Sequence, residues 1–248
     1  MSTSGRAPLP EEIRNGFHHL PVRVYYEDTD CTGVVYHSNY LKYFERSREH
    51  LLGPDSLVDL FESSGRSFVV TTVEVQYKKG ARYGDELEVR TRPQATSKFR
   101  LEFDQQVWNR VTNEQVVAGT VQMVCVNKDL TLCALPTETI EALNVQYPPL
   151  PPVGSPKPKP RPKRRPKQKA LKVIQPHAHQ IEVYYEDTDF TGVVYYANYL
   201  KFMERARSQL AGIRQLATSA AAKELGFTSS LRVRSAVFCS CVLGSIGP

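Results

Sequence analysis

The sequence predicts an α+β fold in which one long helix is covered by an antiparallel sheet, with an incomplete second unit behind it. Three observations carry this reading. One amphipathic stretch, "SNYLKYFERSREHLL" (38–52), precedes a close series of strand-like segments. Turn sequences such as "YGDE" and "VTNEQ" join those segments. And "VYYEDTDCTGVVYHSNYLKYFER" (24–46) returns as "VYYEDTDFTGVVYYANYLKFMER" (183–205), without the strands that follow the first copy.

Each element has its own signal. "PVRVYYE" (21–27) alternates like a strand and is rich in Val and Tyr. In 38–52, Tyr40, Phe44, Ser47 and Leu51 fall on one helical face, with Leu41 and Leu52 beside it. Ser38 or Asn39 can cap the first turn. A short helix fits 55–63. Strand patterns then follow at 66–79, 85–96, 98–110 and 114–127. Trp108 is read as a core residue. One long helix with five long strands suggests a curved sheet wrapped around that helix. Residues 17–146 make a domain of ordinary size, and 1–16 read as a disordered lead with no apolar signal core.

The segment 147–172, "YPPLPPVGSPKPKPRPKRRPKQKALK", carries nine Lys or Arg and no acid. Taking these nine from the 32 basic residues leaves 23 against 26 acidic ones, so the rest of the chain is mildly acidic although the whole has net charge +6. Repeated prolines fix φ and remove donors, which makes this segment an extended linker. The alternative to a solvated tether is a basic strip that meets nucleic acid or an anionic membrane. No aromatic residue interleaves 157–169, which counts against nucleic acid. The five cysteines (Cys31, Cys125, Cys133, Cys239, Cys241) form no CxxC pair, giving no zinc or disulfide framework. There is no apolar run long enough for a membrane span. A reducing cytoplasm is the expected compartment.

The acidic segment places Glu27, Asp28 and Asp30 at the end of a strand, and "TGVV" then leads into a helix whose first amides have no intrahelical acceptor. Such a carboxylate is either a cap in a solvated turn or a nucleophile or general base facing an oxyanion site made of helix amides. Val34 and Val35 interrupt the oxygen ligands a calcium loop needs, and no metal is expected. The ring of His37 either packs or touches substrate.

The stretch "RVYYEDTDCTGVVYHSNYLKYFERSRE" resembles the signature of the 4-hydroxybenzoyl-CoA thioesterase-like, or YbgC-like, acyl-CoA thioesterases, which have the hotdog fold. "SFVVTTVEVQYKKGARYGDELEV" is similar to their second and third strands, and the likeness covers about 20–140. The resemblance implies a hydrolase that cleaves acyl-CoA to a free acid and CoA, with no cofactor beyond CoA as part of the substrate. It makes Asp30 the catalytic carboxylate, with the His37 amide polarising the carbonyl and Gly33 allowing close approach. Lys78, Lys79 and Arg82 could meet CoA phosphates or form an ordinary basic turn. It also implies a homodimer or homotetramer, and an acyl carrier protein as a further possible partner. A hotdog hydratase would carry Asp and His at a tighter spacing than Asp30 and His37. A non-catalytic acyl-thioester scaffold is the alternative from another class.

Between 21–53 and 180–212, 21 of 33 positions are identical at an offset of 159. Asp189, Gly192 and Tyr196 therefore match Asp30, Gly33 and His37. Residues 173–248 read as a truncated second hotdog module, without the sheet that would bury its helix. On this reading only the first copy works, and the first domain pairs with that of another chain.

Overall fold

The computed structural model describes residues 13–147, 178–189, 192–211 and 229–234. The expected linker and the first twelve residues lie outside these.

The chain begins with β1 (Ile13–Arg14), turns at Asn15 and Gly16, and returns as β2 (Phe17–Arg23). Both turn residues have positive φ, +53° and +75°, as a two-residue hairpin requires. The expected disordered lead over 1–16 is corrected here for 13–16: Asn-Gly between two strand-forming segments is a hairpin signal in its own right. The strand expected at 21–27 is also shifted. It ends at Arg23, and Tyr26–Asp28 form a single 3-10 turn.

Next come α1 (Asn39–Leu52) and α2 (Pro54–Ser64). Gly53, at φ +85°, breaks the chain between them, and Pro54 opens α2, where its missing N–H costs nothing. Four long strands follow: β3 (Ser67–Tyr77), β4 (Glu86–Ser97), β5 (Arg100–Asn109) and β6 (Glu114–Val126). A short helix, α3 (Thr137–Ala142), closes the first domain. From the second copy come α4 (Asn198–Ala211) and β7 (Ser229–Arg234). All pairings are antiparallel, and the sheet order is β1-β2-β4-β5-β6-β3-β7. No helix among the described residues is long and apolar enough to cross a membrane.

The inner face of the sheet alternates as strand geometry demands. Leu87 and Val89, Leu101 and Phe103, and Val117 and Val121 are fully buried against Tyr40 and Phe44 of α1. Burying a side chain such as Phe44 is worth about 2–3 kcal/mol. The helix and sheet approach closely at Gly119 on β6, where a Cβ would lie 2.9 Å from Phe44 Cε2 and 2.9 Å from the Glu74 carbonyl oxygen. A polar seam is built into this core. Gln105 Nε2 donates to the Phe44 carbonyl at 2.8 Å and to Thr91 Oγ1 at 2.9 Å, and Arg48 Nη1 donates to Gln105 Oε1 at 2.7 Å. These pairings satisfy groups that would be costly if left bare. Trp108, expected in the core, instead lies at the sheet's other face. A register shift follows Val107, Arg90 stacks 4.4 Å from the indole, and Nε1 donates to Gln106.

The second copy does not lack a surface to bury its helix. Tyr196, Ala197 and Leu200 join the same core as Tyr40 and Phe44. β7 lies along the outer edge of β3, from Thr72 opposite Arg234 to Tyr77 opposite Ser229. The contacts between the copies are reciprocal. Tyr36 donates to Glu204, and Tyr195 is hydrogen-bonded to Glu45; the offset of 159 converts one pair into the other. Tyr196 Oη further donates to the Leu41 carbonyl at 3.0 Å. Helical periodicity reveals that α4 needs burial but not which surface provides it. Here the first domain does, so the edge that β3 could offer another chain is already occupied.

Candidate active site

The two acidic turns have one backbone design. In the first, Asp30 N–H donates to the Val34 carbonyl at 2.9 Å and Gly33 N–H to the Asp30 carbonyl at 3.0 Å. In the second, Asp189 to Val193 and Gly192 to Asp189 repeat these bonds at 2.9 and 3.0 Å. Gly33 and Gly192 have φ of +79° and +80°, a conformation that a Cβ disfavours.

Three acids in the first turn have three different fates. Glu27 is exposed. Asp28 is buried and structural: its carboxylate accepts from Tyr25 N–H at 2.9 Å, and its carbonyl accepts from Tyr36 N–H and from Asn39 Nδ2. Asp187 makes the matching bonds in the second turn. Asp30 is half-buried, and its Oδ1 accepts from Thr32 N–H at 2.8 Å and Thr32 Oγ1 at 2.6 Å. Those two bonds fix the carboxylate and leave Oδ2 without a protein donor among the described residues.

Opposite it, the turn leads through Tyr36 and His37 into α1. The His37 amide has no acceptor among the described residues, while its carbonyl accepts from Tyr77 Oη at 3.1 Å. Burial lowers the pKa of the His37 ring, which lies 4.4 Å from the Tyr36 ring. An open amide backed by a helix dipole and a carboxylate in the turn that leads to it are the parts an oxyanion-type site needs. The loop carrying Lys78, Lys79 and Arg82 packs on this turn, with Val35 N–H donating to Ala81 and Val34 bridged to Arg82. Lys78 and Lys79 are engaged by Gln115 and Glu114. Arg82 is exposed, and its guanidinium has no acceptor among the described residues.

The second turn faces a different wall. A cavity of ≈ 320 Å³ opens beside Asp189, lined by Tyr195 and Tyr196 of the second copy and by Glu45, Arg48 and α2 of the first domain. Neither Glu45 nor Arg48 figures in the sequence reading. A signal existed: both copies keep Glu-Arg-x-Arg at the same place, 45–48 and 204–207. Arg48 is 2% exposed and Glu45 Oε2 is enclosed without a partner. Burial pushes the Glu45 carboxyl up to about 7, against the pull of Arg48 and of the Tyr195 hydrogen bond. No group of three His, Cys, Asp or Glu side chains suited to a metal occurs among the described residues.

Comparison with known proteins assigns the chain to a family. Residues 24–154 fit the model of the thioesterase-like superfamily. The chain is 37% identical over 117 residues to the acyl-CoA thioesterase YbgC of Haemophilus influenzae, covering 46% of this chain and 84% of that protein. It is 38% identical over 108 residues to the acyl-CoA thioester hydrolase YbgC of Escherichia coli, covering 43% and 80%. Among solved structures, the 1,4-dihydroxy-2-naphthoyl-CoA thioesterase of Synechocystis shares the fold, with TM-score 0.50 at 21% identity over 52% of this chain and 96% of that one. The 12:0-ACP thioesterase of Umbellularia californica matches at TM-score 0.52 and 12% identity, over 75% of this chain and 68% of that one. The chain belongs to the thioesterase-like superfamily, as a hotdog enzyme of the YbgC-like kind.

Proposed function

We propose that this protein hydrolyses acyl-CoA thioesters with the carboxylate of its acidic turn, Asp30 in the first copy. The observation that carries this is Asp30, clamped through one oxygen by Thr32, in the turn that leads to the open His37 amide before α1. Water attacks the thioester carbonyl carbon while its proton passes to Asp30 Oδ2. The carbonyl oxygen becomes an oxyanion and is held by the His37 amide. The C–S bond then breaks as the carbonyl re-forms, and the CoA thiolate takes the proton from Asp30. A free acid and CoA result, and the balance needs no cofactor. Fixed helix amides suit this step because they need little reorganisation as charge develops.

Arg82, exposed beside the turn, is the best placed of the three basic residues to meet a CoA phosphate; Lys79 would first have to leave Glu114. In this reading the second copy takes the place of a partner domain on β3, and any pairing of whole chains uses other surfaces. Cytoplasmic action fits the free thiols Cys31, Cys125 and Cys133.

The test is CoA release from a panel of acyl-CoAs, with wild type and the Asp30→Asn/Asp189→Asn double variant. Turnover by wild type and a loss of at least about 100-fold in the double variant are expected. A wild type that binds acyl-CoA but releases no CoA would refute hydrolysis.

A further inference from the structure

We propose that the second copy supplies its own working carboxylate, Asp189, to a composite site whose acyl pocket belongs to the first domain. This rests on the hydrolytic reading above and assigns where the acyl group goes.

The cavity is the first observation. Its ≈ 320 Å³ falls within the size range of ligand pockets. One end holds Asp189, Tyr195 and Tyr196. The other is apolar: Leu57 and Phe61 of α2, Phe68 and Val70 of β3, and Met123 of β6. A thioester with its carbonyl at the Asp189 turn would therefore send its acyl group into the first domain. Such a lining suits an apolar acyl group, with Lys128 and Asn127 bordering it at the far end.

Buried polar atoms in the wall are the second observation. Arg48 lines the cavity, and its Nε–H has no acceptor among the described residues although the side chain is almost wholly enclosed. Glu45 Oε2, across from Asp189, is likewise unpartnered. Burying such groups bare is costly; a water between them would satisfy both, and a thioester carbonyl would accept from Arg48 Nε–H. The Arg48 side chain itself is fixed by Gln105 at 2.7 Å and by Tyr196 Oη at 3.3 Å, so the wall is rigid.

The third observation is the equivalence of the turns. Asp189 and Gly192 repeat the backbone bonds of Asp30 and Gly33 to within 0.1 Å, so the second turn presents its carboxylate in the same way. What differs is the opposite wall. The Asp30 turn faces α4 through Glu204, while the Asp189 turn faces α1, α2, β3 and β6 of a complete domain. The chemistry is the one written above, with Asp189 taking and returning the proton and the start of α4 next to the oxyanion.

The test is kinetic, on the full chain. Asp189→Asn is expected to lower kcat/KM for apolar acyl-CoAs by about tenfold, with the Asp30 turn carrying the remaining turnover, and by more than Asp30→Asn does. Leu57→Trp, which fills the pocket at a distance from the carboxylate, is expected to shift the preference toward shorter acyl groups by about tenfold. It should weaken a long-chain S-alkyl-CoA thioether but not a short one. Wild-type turnover in Asp189→Asn together with its loss in Asp30→Asn would overturn the composite site while leaving hydrolysis intact. A wild type without turnover would refute the hydrolytic reading, and an unchanged thioether preference in Leu57→Trp would separately refute the pocket.

Discussion

The Asp30 and Asp189 turns have the same bonds, the same glycine conformation and the same following helix, yet different surroundings. Around Asp30 lie Tyr36, His37 and, across the seam, Glu204. Around Asp189 lies a cavity walled by a whole domain. The comparison teaches that a catalytic turn is a local object, set by a dozen residues, whereas a substrate pocket is a long-range one. Copying the turn copies the carboxylate; the pocket comes from whatever the copy docks against.

The sharpest way to break this comparison is at the two equivalent arginines. Arg48 is enclosed and donates to Gln105, whereas Arg207 is exposed. Arg48→Met leaves Gln105 Oε1 bare and should cost about 2–3 kcal/mol in denaturant unfolding. Arg207→Met should stay within about 0.5 kcal/mol. Equal effects would mean that the two walls are alike.

Glu45 gives the next effect, and its sign follows from burial. The folded carboxyl keeps its proton to about pH 7, whereas the unfolded one loses it near 4.5. Folding therefore binds an extra proton in that window, so Glu45's contribution to stability declines as pH rises through it and is least favourable above pH 7. Glu45→Gln, which cannot ionise, should stabilise the protein by about 1–2 kcal/mol at pH 8 and by nothing below pH 4. Arg48 and Tyr195, which favour the charged form, and Glu49 and Asp189, which oppose it, face the same carboxyl. A gain that is independent of pH would contradict the burial.

The glycines test whether the turns themselves are equal. Gly33→Ala and Gly192→Ala meet no neighbour within 4 Å but force Ala to positive φ. Each should cost about 1–2 kcal/mol in thermal or chemical unfolding, and a marked inequality would mean that one turn is looser. The smallest effect belongs to Lys79→Ala. Its exposed pair with Glu114 is worth less than about 1 kcal/mol, and KM for acyl-CoA should change less than with Arg82→Ala.

Much of this was legible in the residues. The 3.6-residue spacing of Tyr40, Phe44, Ser47 and Leu51 located α1, and strand alternation located β3 to β6 to within a few residues, because both patterns are local. The Asn15-Gly16 hairpin is equally local, but its first strand is only Ile13–Arg14, too short for alternation to mark it. Trp108 follows buried Leu101, Phe103, Gln105 and Val107 at an even position, so strand alternation alone turns it away from the core to Arg90. The docking of α4 on α1 depends on contacts more than 140 positions apart, such as Arg48 with Tyr196, and no periodicity encodes those. The repeated Glu-Arg-x-Arg was visible as a pattern, but its meaning emerged only once Glu45 and Tyr195 were seen together.

The most direct measurement is a crystal structure of the full chain with a long-chain S-alkyl-CoA thioether, which cannot be hydrolysed. Density for the alkyl chain is expected between Leu57, Phe68 and Met123, with the sulfur beside Asp189. An alkyl chain bound only at the Asp30 turn, with the cavity beside Asp189 filled by water, would contradict the composite site.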